Sequence, residues 1–422
     1  MNNRALHRFA LFTAAATFVL LGAGGLVTSH GVGMAVPDWP NTYGYNMFFF
    51  PFSKWVGGVF YEHSHRLLAS AVGLCTSILA VWLYGRNARG FLRGMGAILL
   101  LLGIITALTA HKRWEDAVVL GCSGFAALTA SLAWPRCEPA KPWLRKLGLA
   151  AFFAVVLQGI LGGLRVVLFK DQIGIFHATL AQLFFVLVCA LALFSSTWWQ
   201  EKFGPFLSRS QNPKDSDGAG PLRVPSSGAS RLVWLCAGAT ILILAQLILG
   251  ATMRHQHAGL AIPDFPLAYG KLWPAMDPQS VAHYNQQRIE VIDLNPITAS
   301  QIILQLAHRF LALCIFGGIA GCAWGARRVL GQGHLVARLA LGWFSLILVQ
   351  ALLGAATIWS NKAADIATAH VLVGALSLAL GTILSLTLLQ ENAAARSPQL
   401  SNRPRTEPSP AFGSRPSPAI GN

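Results

Sequence analysis

Charged residues are scarce in this chain: Asp, Glu, Lys and Arg make up 11% of its 422 residues, whereas soluble globular proteins carry about 25%. Acidic residues are the rarer kind, with 16 Asp and Glu against 32 Lys and Arg. Hydrophobic residues reach 54%, which is too much for a polar surface to cover. This composition excludes a soluble multi-domain enzyme and a disordered scaffold.

The seven cysteines do not form a disulfide framework. Such frameworks are typical of small secreted domains that lack a sufficient core. Here Cys137 lies in a basic loop, and the other six lie inside apolar runs. Those six are Cys75, Cys122, Cys189, Cys236, Cys314 and Cys322.

Long apolar runs dominate the chain instead. A helix that spans a bilayer needs roughly 20 mostly apolar residues, and ten runs meet that requirement. We therefore predict an all-α integral membrane protein with about ten transmembrane helices. The predicted spans are 9–29, 64–84, 92–110, 115–134, 147–167, 174–197, 231–252, 299–324, 336–358 and 364–390.

Lys and Arg are distributed unequally between the two sides of these spans. If the N-terminus is cytoplasmic, 21 of the 32 Lys and Arg residues fall on the cytoplasmic side. Basic residues accumulate on that side of membrane proteins, so topology explains the net charge of +16 and nucleic-acid binding is not predicted. We expect a multi-pass protein of the bacterial inner membrane with both termini in the cytoplasm.

The chain also contains an internal repeat. Residues 21–40 align without gaps on residues 247–266, and three further matches follow in the same order. They are EHSHRLLA (62–69) with QLAHRFLA (305–312), QGILGG (158–163) with QALLGA (350–355), and FHATLAQL (176–183) with AHVLVGAL (369–376). Because six predicted spans precede the second copy, both copies run in the same direction. We predict a tandem parallel repeat of four-helix bundles.

The repeat divides the chain into two transmembrane halves. The first half covers 1–204 and carries one extra hairpin at about 92–134, and the second half covers 231–390. Residues 205–230 are polar and rich in Gly, Pro and Ser, which is typical of a flexible linker, here on the cytoplasmic side. Residues 391–422 lack the apolar content to fold and are predicted to form a disordered cytoplasmic tail.

Four histidines occupy matched positions at membrane depth: His65, His177, His308 and His370. Ionisable residues inside spans are costly and mark functional sites. Facing histidines in a bundle core can hold haem or a metal ion, and two imidazoles suit an electron-transferring haem iron. The structural alternative is that backbone carbonyls or hydroxyls satisfy each ring. A bare dinuclear metal site would need several carboxylates, and the neighbouring sequence supplies only Glu62.

Glu62 makes the two halves chemically different. It precedes His65 by three residues, which places both on one helix face, whereas the matched residue of the second half is Gln305. Since an amide cannot exchange a proton, we predict that the first half is the reaction site and that the second half holds a fixed redox cofactor. The alternative is that Glu62 is a solvated residue at the helix start.

Arg66 and Arg309 directly follow a histidine in each half. Guanidinium groups form strong hydrogen bonds with carboxylates, so both arginines are candidate partners of haem propionates, and interfacial snorkelling is the alternative. The loops that contain PDWP (37–40) and PDFP (263–266) are predicted to lie outside, where they either cover the sites or act as structural caps.

Together these motifs resemble the haem A synthase family, membrane enzymes of cytochrome oxidase assembly. The resemblance covers residues of about 9–390. It is carried by Glu62-x-x-His65-Arg66, the PDWP and PDFP loops, His177, His308-Arg309 and His370. Family membership implies the oxidation of a methyl group of haem O to a formyl group, which gives haem A.

The resemblance also implies roles for the site residues. His308 and His370 would be the axial ligands of a haem B cofactor, His65 and His177 would bind the iron of the substrate haem O, and Glu62 would be the catalytic carboxylate. The implied partners are haem O, membrane lipid, an electron donor, haem O synthase and other assembly factors.

Two features depart from the family pattern. Some members carry a cysteine pair in the first outer loop, whereas here Asn41 follows Pro40 and no cysteine lies in a predicted outer loop. The extra hairpin raises the basic number of eight spans to ten.

The alternative function is a di-haem membrane electron-transfer protein, similar to quinol oxidoreductases, that leaves the porphyrin unmodified. A transporter is a third possibility, because parallel repeats occur there too.

Overall fold

The computed structural model describes residues 4–109, 114–168, 170–209, 227–288 and 296–401. Within these ranges the chain forms twelve α-helices, three short 3₁₀-helices and two isolated β-bridges. The first six α-helices are α1 (Arg4–Ser29), α2 (Gly57–Trp82), α3 (Ala88–Thr109), α4 (Trp114–Ala133), α5 (Pro142–Leu168) and α6 (Asp171–Ser195). The remaining six are α7 (Thr197–Arg209), α8 (Ser227–His255), α9 (Pro278–Gln286), α10 (Ala299–Leu330), α11 (Leu335–Trp359) and α12 (Ala364–Ser401).

Ten of these helices, all except α7 and α9, are long and apolar enough to cross a membrane. The chain is therefore an all-α multi-pass membrane protein, and the predicted number of spans is confirmed. Each predicted span lies within or largely within one of these helices. The observed helices are mostly longer, because a helix continues beyond the apolar core of the bilayer as long as its residues favour helical geometry.

The predicted linker was too long at both ends. Helix α7 runs to Arg209 and helix α8 begins at Ser227, so both ends of the 205–230 segment are helical. A polar composition marks the end of an apolar run, but it does not by itself end a helix. Residues 210–226 lie outside the described residues.

The predicted tail also begins too early. Helix α12 continues to Ser401, so the first residues of the 391–422 segment are helical. Residues 393–395 are three consecutive alanines, and alanine has the highest helix propensity, which explains why the helix outlasts the apolar run. Residues 402–422 lie outside the described residues.

Eight helices form two groups of four. In the first ring, α1 and α5 each contact α2 and α6, and in the second ring, α8 and α11 each contact α10 and α12. The helices of the two rings carry, in the same order, the segments that the sequence alignment pairs. The rings meet through α1, α6, α8 and α12, and an apolar cluster that includes Phe185, Ala375 and Ala379 fills this junction.

Helices α3 and α4 form the predicted extra hairpin and pack mainly against each other. Their close approach requires glycine: a Cβ on Gly124 would lie 2.6 Å from the backbone nitrogen of Leu100. One end of the hairpin contacts the loop between α1 and α2, where Asn46 donates hydrogen bonds to Glu115 and Asp116 at 3.2 and 2.7 Å. The hairpin is thus an addition beside the first ring, and it leaves the order of the four ring helices intact.

Trp343 is the largest fully buried side chain in the core of the second ring. Its Nε1 donates to the carbonyl and hydroxyl oxygens of Ser377 at 3.0 and 2.9 Å.

We expect Trp343→Ala to lower the free energy of unfolding by about 3 kcal/mol, because a large buried cavity forms. Thermal unfolding in detergent measures this effect. The control is Trp324→Ala on α10, where the side chain is 61% exposed; equal losses in both variants would contradict the prediction.

Candidate functional site

Each of the four predicted site histidines lies against a glycine of a neighbouring helix in its own ring. The pairs are His65 with Gly24, His177 with Gly162, His308 with Gly250, and His370 with Gly354. A Cβ on these glycines would lie 3.0 to 3.4 Å from the Cε1 atom of the imidazole. The glycines therefore provide the space that the rings occupy, and they occur at repeat-matched positions.

The structure places the members of each predicted histidine pair in the same ring. Helices α2 and α6, which carry His65 and His177, lie at opposite corners of the first ring, since each contacts both α1 and α5. Helices α10 and α12, which carry His308 and His370, have the same relation in the second ring. All four side chains are half-buried. Their role as iron ligands stays a prediction.

One of the four rings makes the contact that an axial haem ligand usually makes through its second nitrogen. A metal-binding histidine usually donates its second ring N–H to a carbonyl or another acceptor, and Nδ1 of His370 lies 3.2 Å from the carbonyl oxygen of Gln350. Among the described residues, Nδ1 of His65, His177 and His308 is buried without a hydrogen-bond partner. Three of the four imidazoles thus have a buried nitrogen that would be available to a bound group such as a haem iron. Three His, Cys, Asp or Glu side chains placed to hold a bare ion do not occur within the described ranges.

Two glutamines at repeat-matched positions, which the sequence analysis did not single out, contact the histidines. The Nε2 atom of Gln158 lies 3.4 Å from Nε2 of His177 and donates to the His177 carbonyl at 2.9 Å. In the second ring, Nε2 of Gln350 lies 3.4 Å from Nε2 of His370. Both glutamines begin the matched segments QGILGG and QALLGA. A polar residue repeated inside two apolar runs was the signal that could have identified them.

Glu62 is buried and holds the PDWP loop, which comprises residues 30–56 between α1 and α2. The residue is 3% exposed. Its Oε2 accepts a hydrogen bond from the backbone N–H of Val36 at 2.8 Å, and its Oε1 forms an ion pair with Arg66 at 2.6 Å. The alternative that Glu62 is a solvated helix-start residue is therefore wrong.

Gln305 holds the PDFP loop, residues 256–277 after α8, in the same way. It is buried, and its Oε1 accepts a hydrogen bond from the backbone N–H of Ile262 at 2.6 Å. Ile262 is the repeat match of Val36. The two side chains thus share one structural role and differ in charge, so only the first ring has a buried proton-exchanging group at this position.

Arg66 and Arg309 clamp the same two loops, which the sequence analysis did not predict. Arg66 donates to three carbonyls of the PDWP loop at 2.7 to 3.1 Å, those of Val36, Asp38 and Asn41. Arg309 donates to two carbonyls of the PDFP loop at 2.7 and 2.8 Å, those of Asp264 and Leu267. These bonds occupy much of each guanidinium, and the pairing of either arginine with a propionate stays a prediction.

The two loops are closed by the same hydrogen bonds. The Asp38 carboxylate accepts hydrogen bonds from the backbone N–H groups of Tyr43 and Gly44, both at 2.8 Å. The Asp264 carboxylate accepts the equivalent bonds from Tyr269 and Gly270 at 2.7 and 2.8 Å. The hydroxyl of Tyr269 donates to the carbonyl of Ala261. Burial, followed by the influence of Tyr284 and Asp264, raises the pKa of Tyr269 to about 12, so this hydroxyl stays a donor at neutral pH.

Comparison with known proteins gives a family match that contains nearly all of the second ring and begins after Glu62, His65 and the PDWP loop of the first. A family model described as cytochrome oxidase assembly protein (COX15-CtaA) matches residues 117–382. A curated relative from Beijerinckia indica subsp. indica, named heme A synthase, is 25% identical over 305 residues. That alignment covers 71% of this chain and 62% of the relative. The chain therefore spans less than two thirds of the length of this relative.

Proposed function

Because the chain belongs to the COX15-CtaA family of cytochrome oxidase assembly proteins, we propose that it is a haem A synthase. Such an oxidoreductase oxidises a methyl group of haem O to a formyl group. The observation that carries the proposal is the pair of glycine-supported histidines in each ring. The name of the curated relative, heme A synthase, supports the same activity.

In this proposal the two rings bind different haems. His308 and His370 of the second ring hold a resident haem B, and His65 and His177 of the first ring hold the substrate haem O. A bound haem supplies one-electron redox chemistry at its iron. The chain supplies the imidazoles, the glycines against which they pack, and loops that are fixed to the helix ends by Arg66 and Arg309.

Glu62 would hold or move a proton beside the first ring. A positioned carboxylate is a common general acid or base, and replacing two C–H bonds of a methyl group by the C=O bond of a formyl group requires proton transfer. Glu62 is on the same helix as His65, one turn away. Gln305 has the same loop contacts but no exchangeable charge, which supports assigning the reaction to the first ring.

The proposed setting is the bacterial inner membrane with both termini in the cytoplasm. The excess of Lys and Arg in the loops assigned to that side supports this orientation. Under it, all four histidines lie nearer the outer ends of their helices. The electron donor, haem O synthase and other assembly factors of cytochrome oxidase are proposed partners.

Pigment analysis tests the proposed function. The full chain is expressed in cells that make haem O but no haem A, and the haems are extracted and separated by chromatography. We expect haem A to accumulate with the chain and to be absent from cells with an empty vector. The alternative function, a di-haem electron-transfer protein, predicts bound haem B and unchanged haem O, and that result would overturn the proposal.

A further inference from the structure

Each ring has one seam that lies away from the other ring. The rings meet through α1 and α6 of the first and α8 and α12 of the second. The remaining helices therefore form the far side of each ring, with α2 beside α5 in the first and α10 beside α11 in the second. Their outer surfaces carry exposed apolar side chains such as Leu74 and Phe153, as expected for helix faces in contact with lipid. These two seams separate the ring interiors from the bilayer.

An aromatic pair closes the seam of the second ring. The rings of Phe316 on α10 and Phe344 on α11 have centroids 5.3 Å apart and an interplanar angle of 51°, and Phe344 also packs against the core of this ring. Phe316 follows His308 by eight residues, which corresponds to about 12 Å along a helix. The pair therefore closes the seam about two turns from the proposed haem ligand, toward the middle of the membrane.

The first ring lacks this aromatic pair. The residues matched to Phe316 and Phe344 are Gly73 and Phe152. A Cβ on Gly73 would meet no neighbouring atom within 4 Å. The ring of Phe152 packs instead against Phe153 of its own helix, with centroids 5.6 Å apart. At this level of the described chain, the seam between α2 and α5 is therefore open where the matched seam is closed.

The burial of neighbouring residues shows that the matched positions point the same way. Val72 and Ile315 directly precede the glycine of α2 and the phenylalanine of α10, and both are buried. Ala151 and Trp343 directly precede the matched phenylalanines of α5 and α11, and both are buried as well. The four helices therefore have the same rotation in the two rings. The difference between the seams comes from the side chains and not from a change in helix packing.

The two ends of the first ring are covered or filled. At one end, Glu62 and Arg66 of α2 bind the PDWP loop, and Trp39 of this loop lies against Gly163 of α5. The loop thus reaches from α2 across to α5. At the opposite end, leucines from all four helices belong to one buried cluster: Leu6, Leu83, Leu144 and Leu191. A haem that enters this ring therefore has to pass between helices.

We propose that the seam between α2 and α5 at Gly73 is a lateral entrance, through which haem O and haem A exchange between the first ring and the bilayer. Phe316 and Phe344 close the matched seam and retain the resident haem of the second ring. Haem is a largely apolar macrocycle, so the hydrocarbon core of the membrane is a favourable medium for its approach. The inference rests on the proposed function, and it explains why one ring turns over its haem while the other keeps it.

The rate of haem release tests the two seams. The full chain is reconstituted in phosphatidylcholine nanodiscs, loaded with haem B as the probe for both rings, and mixed with excess apomyoglobin, which captures released haem. We expect the wild type to release one haem fast and one slowly. Phe316→Ala is expected to accelerate the slow phase about 2- to 10-fold, the factor that the loss of one aromatic pair implies. Gly73→Phe is expected to slow the fast phase by a similar factor, because it supplies a partner for Phe152.

Two matched variants serve as controls. Leu74→Phe adds a ring at the exposed position next to Gly73, and Phe310→Ala removes an exposed ring of α10, so we expect neither to change a release phase. An unchanged slow phase in Phe316→Ala, or equal slowing by Gly73→Phe and Leu74→Phe, would overturn the inference. If Gly73→Phe fails to bind haem, Phe316→Ala and its control still decide the outcome. A wild type that binds fewer than two haems would instead refute the proposed haem sites.

Discussion

His308→Ala and His370→Ala are each expected to remove the resident haem B almost completely from the purified chain. Each substitution deletes one of two proposed axial ligands. Loss of a group that only supports a metal ligand already costs about 10- to 100-fold in affinity, so loss of the ligand itself is expected to cost at least 100-fold. Haem content per chain, measured as the pyridine haemochrome, reports the effect.

The matched control is His283→Ala. This histidine lies on α9, outside the two rings, and its side chain is exposed. We expect it to retain wild-type haem content, which separates ligand loss from a general effect of removing an imidazole. A full and unshifted haem spectrum in His308→Ala would show that the second-ring assignment is wrong.

Glu62→Gln is expected to retain bound haem and to lower the rate of haem A formation by about 10²- to 10⁴-fold, the usual contribution of a general acid or base. The amide can still accept the hydrogen bond from Val36, as Gln305 accepts one from Ile262. Arg66 keeps its three loop carbonyls. The substitution therefore removes the exchangeable proton while the loop stays in place.

The measurement is the rate of haem A formation per bound haem. Glu201→Gln changes an exposed carboxylate of α7, distant in sequence from both loops, and is expected to leave the rate unchanged. Wild-type turnover in Glu62→Gln would remove this residue from the mechanism. Loss of haem from that variant would mean that its role is structural.

The spans could be predicted from the sequence because the bilayer imposes one local rule, a run of about 20 apolar residues. The ends of the helices follow other rules. Helix α12 continues through an alanine-rich segment to Ser401, and α7 continues into the predicted linker as far as Arg209. Composition alone does not distinguish a polar helix end from a polar loop.

The histidine pairs could be predicted because the repeat marks equivalent positions on different helices. Contacts across the bundle could not be predicted in this way. Gln158 contacts His177, and Arg66 binds carbonyls of a loop about 25 to 30 residues earlier in the chain. Such contacts depend on the rotation of each helix and the path of each loop, which are set by long-range packing. Sequence reasoning identified Arg66 as a candidate for the site but missed its contacts with the loop.

Low-temperature electron paramagnetic resonance of the oxidised, purified chain tests the central claim most directly, namely that each ring holds a haem between two imidazoles. The account predicts low-spin ferric signals of haems with two histidine ligands in the wild type, and loss of the second-ring contribution alone in His370→Ala. A wild type with only a high-spin signal, or a low-spin spectrum that is unchanged in His370→Ala, would contradict the account.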